Sequence, residues 1–466
     1  MGVAVANSAV APRAARAQPR QTDVLVVGAG MSGLYAAMLL EEQGLSVRVV
    51  EAQNRVGGRV ITLDDVPGRP EAGPTVFRAI LHARTLDLCH KLALPLETPI
   101  QFRKTEATSM LVLRGKFVKD EEWAASKENP LPEEFKSVHP FLGLYTILAK
   151  FDFLGALEDW IDPKFHDRDI STFEFLRARG LSQEALDLLD FGNFGGGLRD
   201  TSLLHDMKVA HWVEFGGKEA VAGAKHVIGG SQRLPEALAR TLKGDVHLGK
   251  PIARVTQSET GVEVRCVDDT VFSAKHALMT MPFPVLKQVE FDPPLPPQQW
   301  EAFERLPYLE SVKVFMVPKR PYWREDGLPP GMYTDTPISG VRGLAHGPNE
   351  TVSNIICDIH SEKAEKFRFM ADDDIGRYVV RHIESLRPAA KGQLEVVRVV
   401  NKSRNPYSLG DWPYWRPGQV AKYGSIVRNP WRRVHFAGDG TAVMNRGVEA
   451  ALESGERAAI EILKEI

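Results

Sequence analysis

The feature that most constrains this chain is a run near its start in which an apolar stretch, three glycines and an acid follow in a fixed order. Val24, Leu25, Val26 and Val27 form an unbroken aliphatic run, the pattern of a strand buried in a parallel sheet. Gly28, Gly30 and Gly33 follow, with Met31 and Ser32 between the last two. Leu34, Ala37, Met38 and Glu41 then recur at helical spacing, and Gly44 stands where a helix ends. Residues 47–50 read as a second strand, closed by Glu51 and Ala52. The result is one βαβ unit. Gly28 permits the tight turn, Gly30 lets backbone approach a pyrophosphate, and Gly33 lets the helix pack on the sheet. The free N–H groups of the helix start favour the anion. Glu51 has the spacing of a carboxylate that accepts from ribose hydroxyls and disfavours a 2′-phosphate. A bound dinucleotide follows, but not whether it carries a flavin or a nicotinamide.

A chain of 466 residues holds two or three domains and can bury a large core without disulfides. Its net charge of −2, with basic residues dispersed, excludes the footprint of a nucleic-acid or anionic-membrane binder. No apolar run is long enough to span a bilayer. Cys89, Cys266 and Cys357 are too few and too scattered for a disulfide framework and lack metal-ligand spacing, so free buried thiols are expected and no metal site is assigned. Residues 1–20 are Ala-rich and acid-free and read as a disordered tail. Ala15, Arg16 and Ala17 resemble the end of a signal peptide, although the basic start and long apolar core are missing. The compartment therefore stays open between cytoplasm and export.

Further along, residues 75–94 are predicted helical, as are 172–179, 183–189, 234–242 and 448–463. Strands are predicted at 252–255, 262–267, 277–280, 312–317 and 434–438. Six prolines within 282–298 predict an irregular segment. Nucleotide-fold segments thus appear at the start, middle and end, with other segments threaded between them.

Arg55, Val56, Gly57, Gly58 and Arg59 follow the second strand, glycines for close approach and Arg59 as a charged fork suited to phosphate. With the opening unit, with Glu71 to Pro74, Ile228 to Ser231 and Thr280 to Pro282 leading to Lys313, and with residues 436–459, the chain resembles the flavin-containing amine oxidase family. That family includes monoamine oxidases, polyamine oxidases and L-amino-acid oxidases. The resemblance implies an α/β fold: a Rossmann-like FAD-binding domain (21–75, 226–285 and 425–466) interleaved with an α+β substrate-binding domain (76–225 and 286–424). It implies FAD, molecular oxygen, release of hydrogen peroxide, and is compatible with a homodimer. Ile252 matches the adenine contact; Gly73, Pro74, Thr75 and Val76 match the loop under the flavin ring. Gly438 and Asp439 match the segment holding the ribityl chain, and Val448 the N–H facing the flavin. Lys313 matches the lysine that holds a water at the reacting edge.

The chain also departs from the family. The aromatic cage keeps Trp412 but has Gly447 opposite it, which enlarges the pocket. Lys402 replaces a tryptophan. Asp411 stands where monoamine oxidases carry the cysteine linked to flavin, so non-covalent FAD is expected. Arg78, and after it Arg84, are candidates for a substrate carboxylate, and Trp212, Phe215 and Trp415 for the pocket wall. The expected activity is oxidation of an L-amino acid to the imine and 2-oxo acid. The alternatives are an amine without a carboxylate, a related monooxygenase or dehydrogenase, and a non-catalytic FAD-binding protein.

Overall fold

The computed structural model describes residues 22–99, 108–193, 195–346 and 351–466; the tail expected at 1–20 lies outside them. Strand Thr22–Val27 is buried almost throughout and lies parallel between Val47–Val50 and Val271–Met279. Val434–Phe436 pairs in parallel with the inner end of Val271–Met279, with Leu278 opposite His435. Val246–His247 extends one side. Antiparallel Val262–Cys266 and Ile252–Gln257, then Glu290–Asp292, extend the other. Helix Met31–Glu42 crosses helix Gly447–Leu463 so closely that a Cβ on Gly455 would lie 2.5 Å from the Ser32 carbonyl oxygen. The parallel strands all end at one edge. Gly28, Glu51, Thr280 and Gly438 emerge there, at the end of an α/β sheet where ligands bind.

A second sheet has the order Leu394–Asn401, Ser311–Pro318, Thr351–His360, Gly340–His346, Gly331–Thr334, Ser109–Leu113 and Lys116–Val118. Helix Asp372–Leu386 covers it with Ile375, Val379 and Ile383, spaced by four to share one face. A helical part includes Pro140–Ala149 and Leu203–Ala222, which is interrupted at Gly217. The chain therefore forms a Rossmann-like unit interleaved with an α+β unit.

Several expectations change in detail. The helix predicted at 75–94 is only Ala83–Lys91. Before it, Phe77 exchanges backbone hydrogen bonds with Lys225 and Ile80 takes a positive φ of 69°, so this stretch is a strap. Strand 277–280 is the end of a longer strand, Val271–Met279, whose first half alternates exposed and buried residues. The proline-rich segment is not wholly irregular, because Glu290–Asp292 joins the edge of the first sheet and Pro297–Arg305 is a helix begun by proline. Among the described residues no helix is long and apolar enough to cross a membrane.

Candidate functional site

The three glycines do different physical work. Gly28 has φ +113° and donates to the Val50 carbonyl at 2.7 Å; a Cβ there would meet Thr280 Oγ1 at 2.4 Å. A Cβ on Gly33 would lie 2.0 Å from the Gly28 carbonyl oxygen, so any side chain would push the helix off the strand. Gly30 is the opposite case: a Cβ there would meet nothing within 4 Å, because it faces a cavity. As the N-cap of helix Met31–Glu42, Gly30 brings no capping side chain, and the first turn carries no acid. That helix start is left to an external anion. Glu51 is buried and accepts from the Ala29 N–H at 2.7 Å and the Gln53 N–H at 2.8 Å; burial pushes its carboxyl up against those bonds.

The cavity holds about 790 Å³, and its wall runs from Glu51, Ala52 and Ile252 past Gly30, Met31 and Ser32 to Gly58, Arg59, Gly73, Pro74, Gly438 and Asp439. It ends at Lys313, Trp412, Gly447 and Val448. A glycine-rich turn, an uncapped helix start and the buried Glu51 carboxylate fit an extended dinucleotide. Gly28 and Gly33 shape the turn without lining the wall.

Arg55 and Arg59 take unequal parts. The Arg55 guanidinium reaches the carbonyls of Val56, Gly58 and Val60, stiffening its own loop. Arg59 grips both oxygens of Asp439, at 2.9 and 2.6 Å, and also donates to the Asp411 carbonyl. This bidentate pair ties the second-strand loop to the last strand's end, where a free fork for phosphate was expected. A Cβ on Gly73 would lie 2.3 Å from the Arg59 carbonyl oxygen, and Ser231 donates to the Pro74 carbonyl, so that loop is held tightly.

At the far end, register decides which side chains meet. Lys313 lies opposite Asp358 in the pairing of Ser311–Pro318 with Thr351–His360, with its ammonium 3.8 Å from Asp358 Oδ1. Arg342 Nε donates to Asp358 Oδ2 at 2.8 Å, and its Nη2 contacts the same oxygen. Burial alone would raise the Asp358 carboxyl; Arg342 and Lys313 outweigh it and hold it well below the usual carboxylate range. Glu71 is pushed up to about 7 by burial, against hydrogen bonds from Ser231 N–H and Thr62 and the charge of Lys313. The His360 ring lies 5.8 Å from Trp412. Among the described residues, Asp358 Oδ1, Asp411 Oδ2 and His360 Nδ1 are buried without a hydrogen-bond partner, and all three residues line this end of the cavity. Such orphaned atoms mark a place for a polar ligand or water.

Lys402 and Asp411 form one buried ion pair at 2.6 Å, each side chain 7% exposed. Two departures that look independent in sequence thus meet in one charge pair. Burial lowers the Lys402 ammonium against the pull of Asp411.

Other expected substrate residues lie elsewhere. Arg84 is held by Glu449 and Glu456, at 3.4 and 2.7 Å, and is corrected from carboxylate receptor to helix tether. Trp212 packs in a small cluster with Leu81 and Ala220, off the cavity wall, as an aromatic at helical spacing does when it serves the core. Phe215 is 59% exposed, and Trp415 packs edge-on to Trp160 in the core. Thr75, Val76 and Arg78 also lie off the wall. Arg78 is half-buried and, among the described residues, has no acid at ion-pair distance; burial lowers its guanidinium. Arg342, Asp358, His360 and the stacked pair Phe141 and Tyr333 line the cavity, and none was expected there. Strand pairing brings Arg342, Asp358 and His360 to the wall, and the stacking of Phe141, on helix Pro140–Ala149, against Tyr333 brings the two rings there.

The sequence profile of the family described as flavin containing amine oxidoreductase matches residues 31–463. Amine oxidase [flavin-containing] B of Sus scrofa is 27% identical, over 95% of this chain and 86% of that protein. The L-amino-acid oxidase of Mus musculus is 28% identical, over 94% of this chain and 70% of that protein. A solved putrescine oxidase variant superposes with a TM-score of 0.79 at 24% identity, covering 96% of this chain and 99% of the other.

Proposed function

The chain belongs to the flavin-containing amine oxidoreductase family and uses FAD, and from that premise we propose that it is an oxidase of a small amine lacking a carboxylate. The observation that carries this reading is charge balance beside Lys313. Arg59 is paired with Asp439, Arg342 with Asp358, and Lys402 with Asp411. A substrate carboxylate buried there would find these three cations already paired and Lys313 sharing Asp358 with Arg342, which leaves little positive charge to offset its desolvation. A neutral amine meets an apolar and aromatic wall instead, with the open side at Gly447 giving room for a bulky carbon skeleton.

The cavity lining from Glu51 to Asp439 would hold FAD, which when bound would supply a two-electron acceptor for the hydride equivalent lost from the carbon bearing the amine. The protein's part is positioning. Trp412 forms one face of the amine site. Lys313, set between Glu71 and Asp358, holds a water for oxygen or imine chemistry. Gly447 and Val448, at the start of helix Gly447–Leu463, line the cavity, so that helix start would favour negative charge on a group bound there. With Asp411 committed to Lys402, FAD is held non-covalently.

An L-amino acid is the second reading, favoured by one observation: Arg78 has no acid partner among the described residues. A peroxide-coupled screen of simple amines, diamines and the twenty L-amino acids tests the choice. Turnover of amines with none of the amino acids supports the proposal. Turnover of amino acids alone, with a KM raised selectively by Arg78→Ala, replaces it with the second reading.

A further inference from the structure

A cluster outside the cavity has the geometry of a metal centre. His276, on strand Val271–Met279, and His435, on strand Val434–Phe436, are both buried and adjacent across a parallel pair. His276 Nδ1 lies 3.3 Å from His435 Nε2. The Glu465 carboxylate, just past helix Gly447–Leu463, places one oxygen 3.5 Å from each of those nitrogens. Among the described residues this is the one group of His, Cys, Asp or Glu side chains with ligand atoms so gathered.

The triangle can be compared with what an ion requires. A tetrahedral zinc centre with bonds of about 2.0–2.1 Å separates its ligand atoms by about 3.3–3.4 Å. Edges of 3.3, 3.5 and 3.5 Å let one ion sit within bonding distance of all three atoms, with a fourth position left for water. A second carboxylate completes the pattern. Glu461 Oε2 lies 3.8 Å from His435 Nδ1, the ring nitrogen turned away from the triangle, and Arg457 holds the other Glu461 oxygen at 2.8 Å. Ligating histidines are commonly oriented in this way by a carboxylate on the remaining N–H. Among the described residues, His435 Nδ1 and Glu461 Oε2 are otherwise both buried without a hydrogen-bond partner.

We propose that His276, His435 and Glu465 bind one divalent transition-metal ion of the zinc class, clamping the end of the last helix to the two central strands. The site is structural. His276 precedes Thr280 by four residues, which along an extended strand is about 13 Å from the turn under Gly28.

The test uses holoenzyme dialysed against chelator and titrated with Zn²⁺ by calorimetry, with Mg²⁺ as control. Co²⁺ then serves as a spectroscopic probe of tetrahedral coordination, read to the red of the flavin bands. The expected result is one Zn²⁺ per chain, a rise in thermal midpoint, intense Co²⁺ absorption, and affinity at least ten-fold weaker in Glu465→Gln and in His276→Gln. Glu465 is exposed, so its variant keeps the fold, which FAD retention verifies. Absence of stoichiometric Zn²⁺ binding, or unchanged affinity in either variant, overturns the proposal and leaves a hydrogen-bonded histidine pair.

Discussion

Asp411→Asn isolates the charge pair that distinguishes this chain near Lys313. The substitution keeps the shape of the side chain but leaves the Lys402 ammonium buried without its counter-ion. Removing one partner of a buried pair costs about 3–5 kcal/mol. A ceiling comes from the lysine itself, which escapes by losing its proton. From an unfolded value of about 10.4, forced neutrality costs about 5 kcal/mol at pH 7 and about 2 kcal/mol at pH 9. The sign follows: in the variant the unfolded state binds one more proton, so its stability rises with pH up to the unfolded value. The wild type has a weaker slope of the same sign, because Asp411 pulls against the burial that lowers the Lys402 ammonium. Denaturant unfolding of the holoenzyme at pH 7 and pH 9, followed by circular dichroism and flavin release, measures both effects. Lys402→Met/Asp411→Asn recovers most of the loss at pH 7, because no charge is then stranded. A single variant as stable as wild type at pH 7, or a loss of equal size at both pH values, refutes the pairing argument.

Gly30→Val weakens FAD binding at least ten-fold while the apoprotein stays folded, since its side chain enters the cavity; Gly33→Ala instead destabilises the fold itself, because its Cβ meets the Gly28 carbonyl. Flavin titration and circular dichroism separate the two. Glu71, held near 7 when folded against about 4.5 unfolded, keeps its proton longer in the native state, so wild-type stability falls as pH rises through that window. Glu71→Gln removes the slope and gains up to about 3 kcal/mol on wild type between pH 5 and pH 8; parallel pH–stability curves contradict this. Gly447→Phe fills the open side of the amine site, raising KM for bulky amines more than for small ones, at a backbone cost of about 1–2 kcal/mol from its positive φ. Equal effects on large and small amines remove Gly447 as a determinant of size.

Much of the nucleotide half is legible in sequence because its signals are local. Val24 to Glu51 sets strand, turn, helix and acid within one stretch, and each glycine's job depends on neighbours close in the chain or on the sheet that stretch begins. The closing helix, Gly447–Leu463, is read within one residue for the same reason. The substrate half is less legible because its chemistry depends on register. Asp358 is only one acid among many until strand Thr351–His360 is laid against Lys313. Lys402 and Asp411 read as two separate losses until they are seen to neutralise each other. Arg78 and Arg84 were singled out by proximity to the Gly73 and Pro74 loop, but positive φ at Ile80 turns the chain into a strap and directs Arg84 to Glu449 and Glu456. His276 and His435 lie far apart in sequence, and only adjacent parallel strands bring their rings together.

The central claim is that this cavity holds FAD positioned to oxidise an amine. The most direct measurement is anaerobic mixing of purified holoenzyme with the best amine from the screen, followed by admission of oxygen. The visible flavin band is expected to bleach at a rate fast enough to support turnover. Oxygen then restores the band and releases one peroxide per flavin. A flavin that stays oxidised under every amine and amino acid offered overturns the oxidase assignment and leaves a protein that binds FAD without using it.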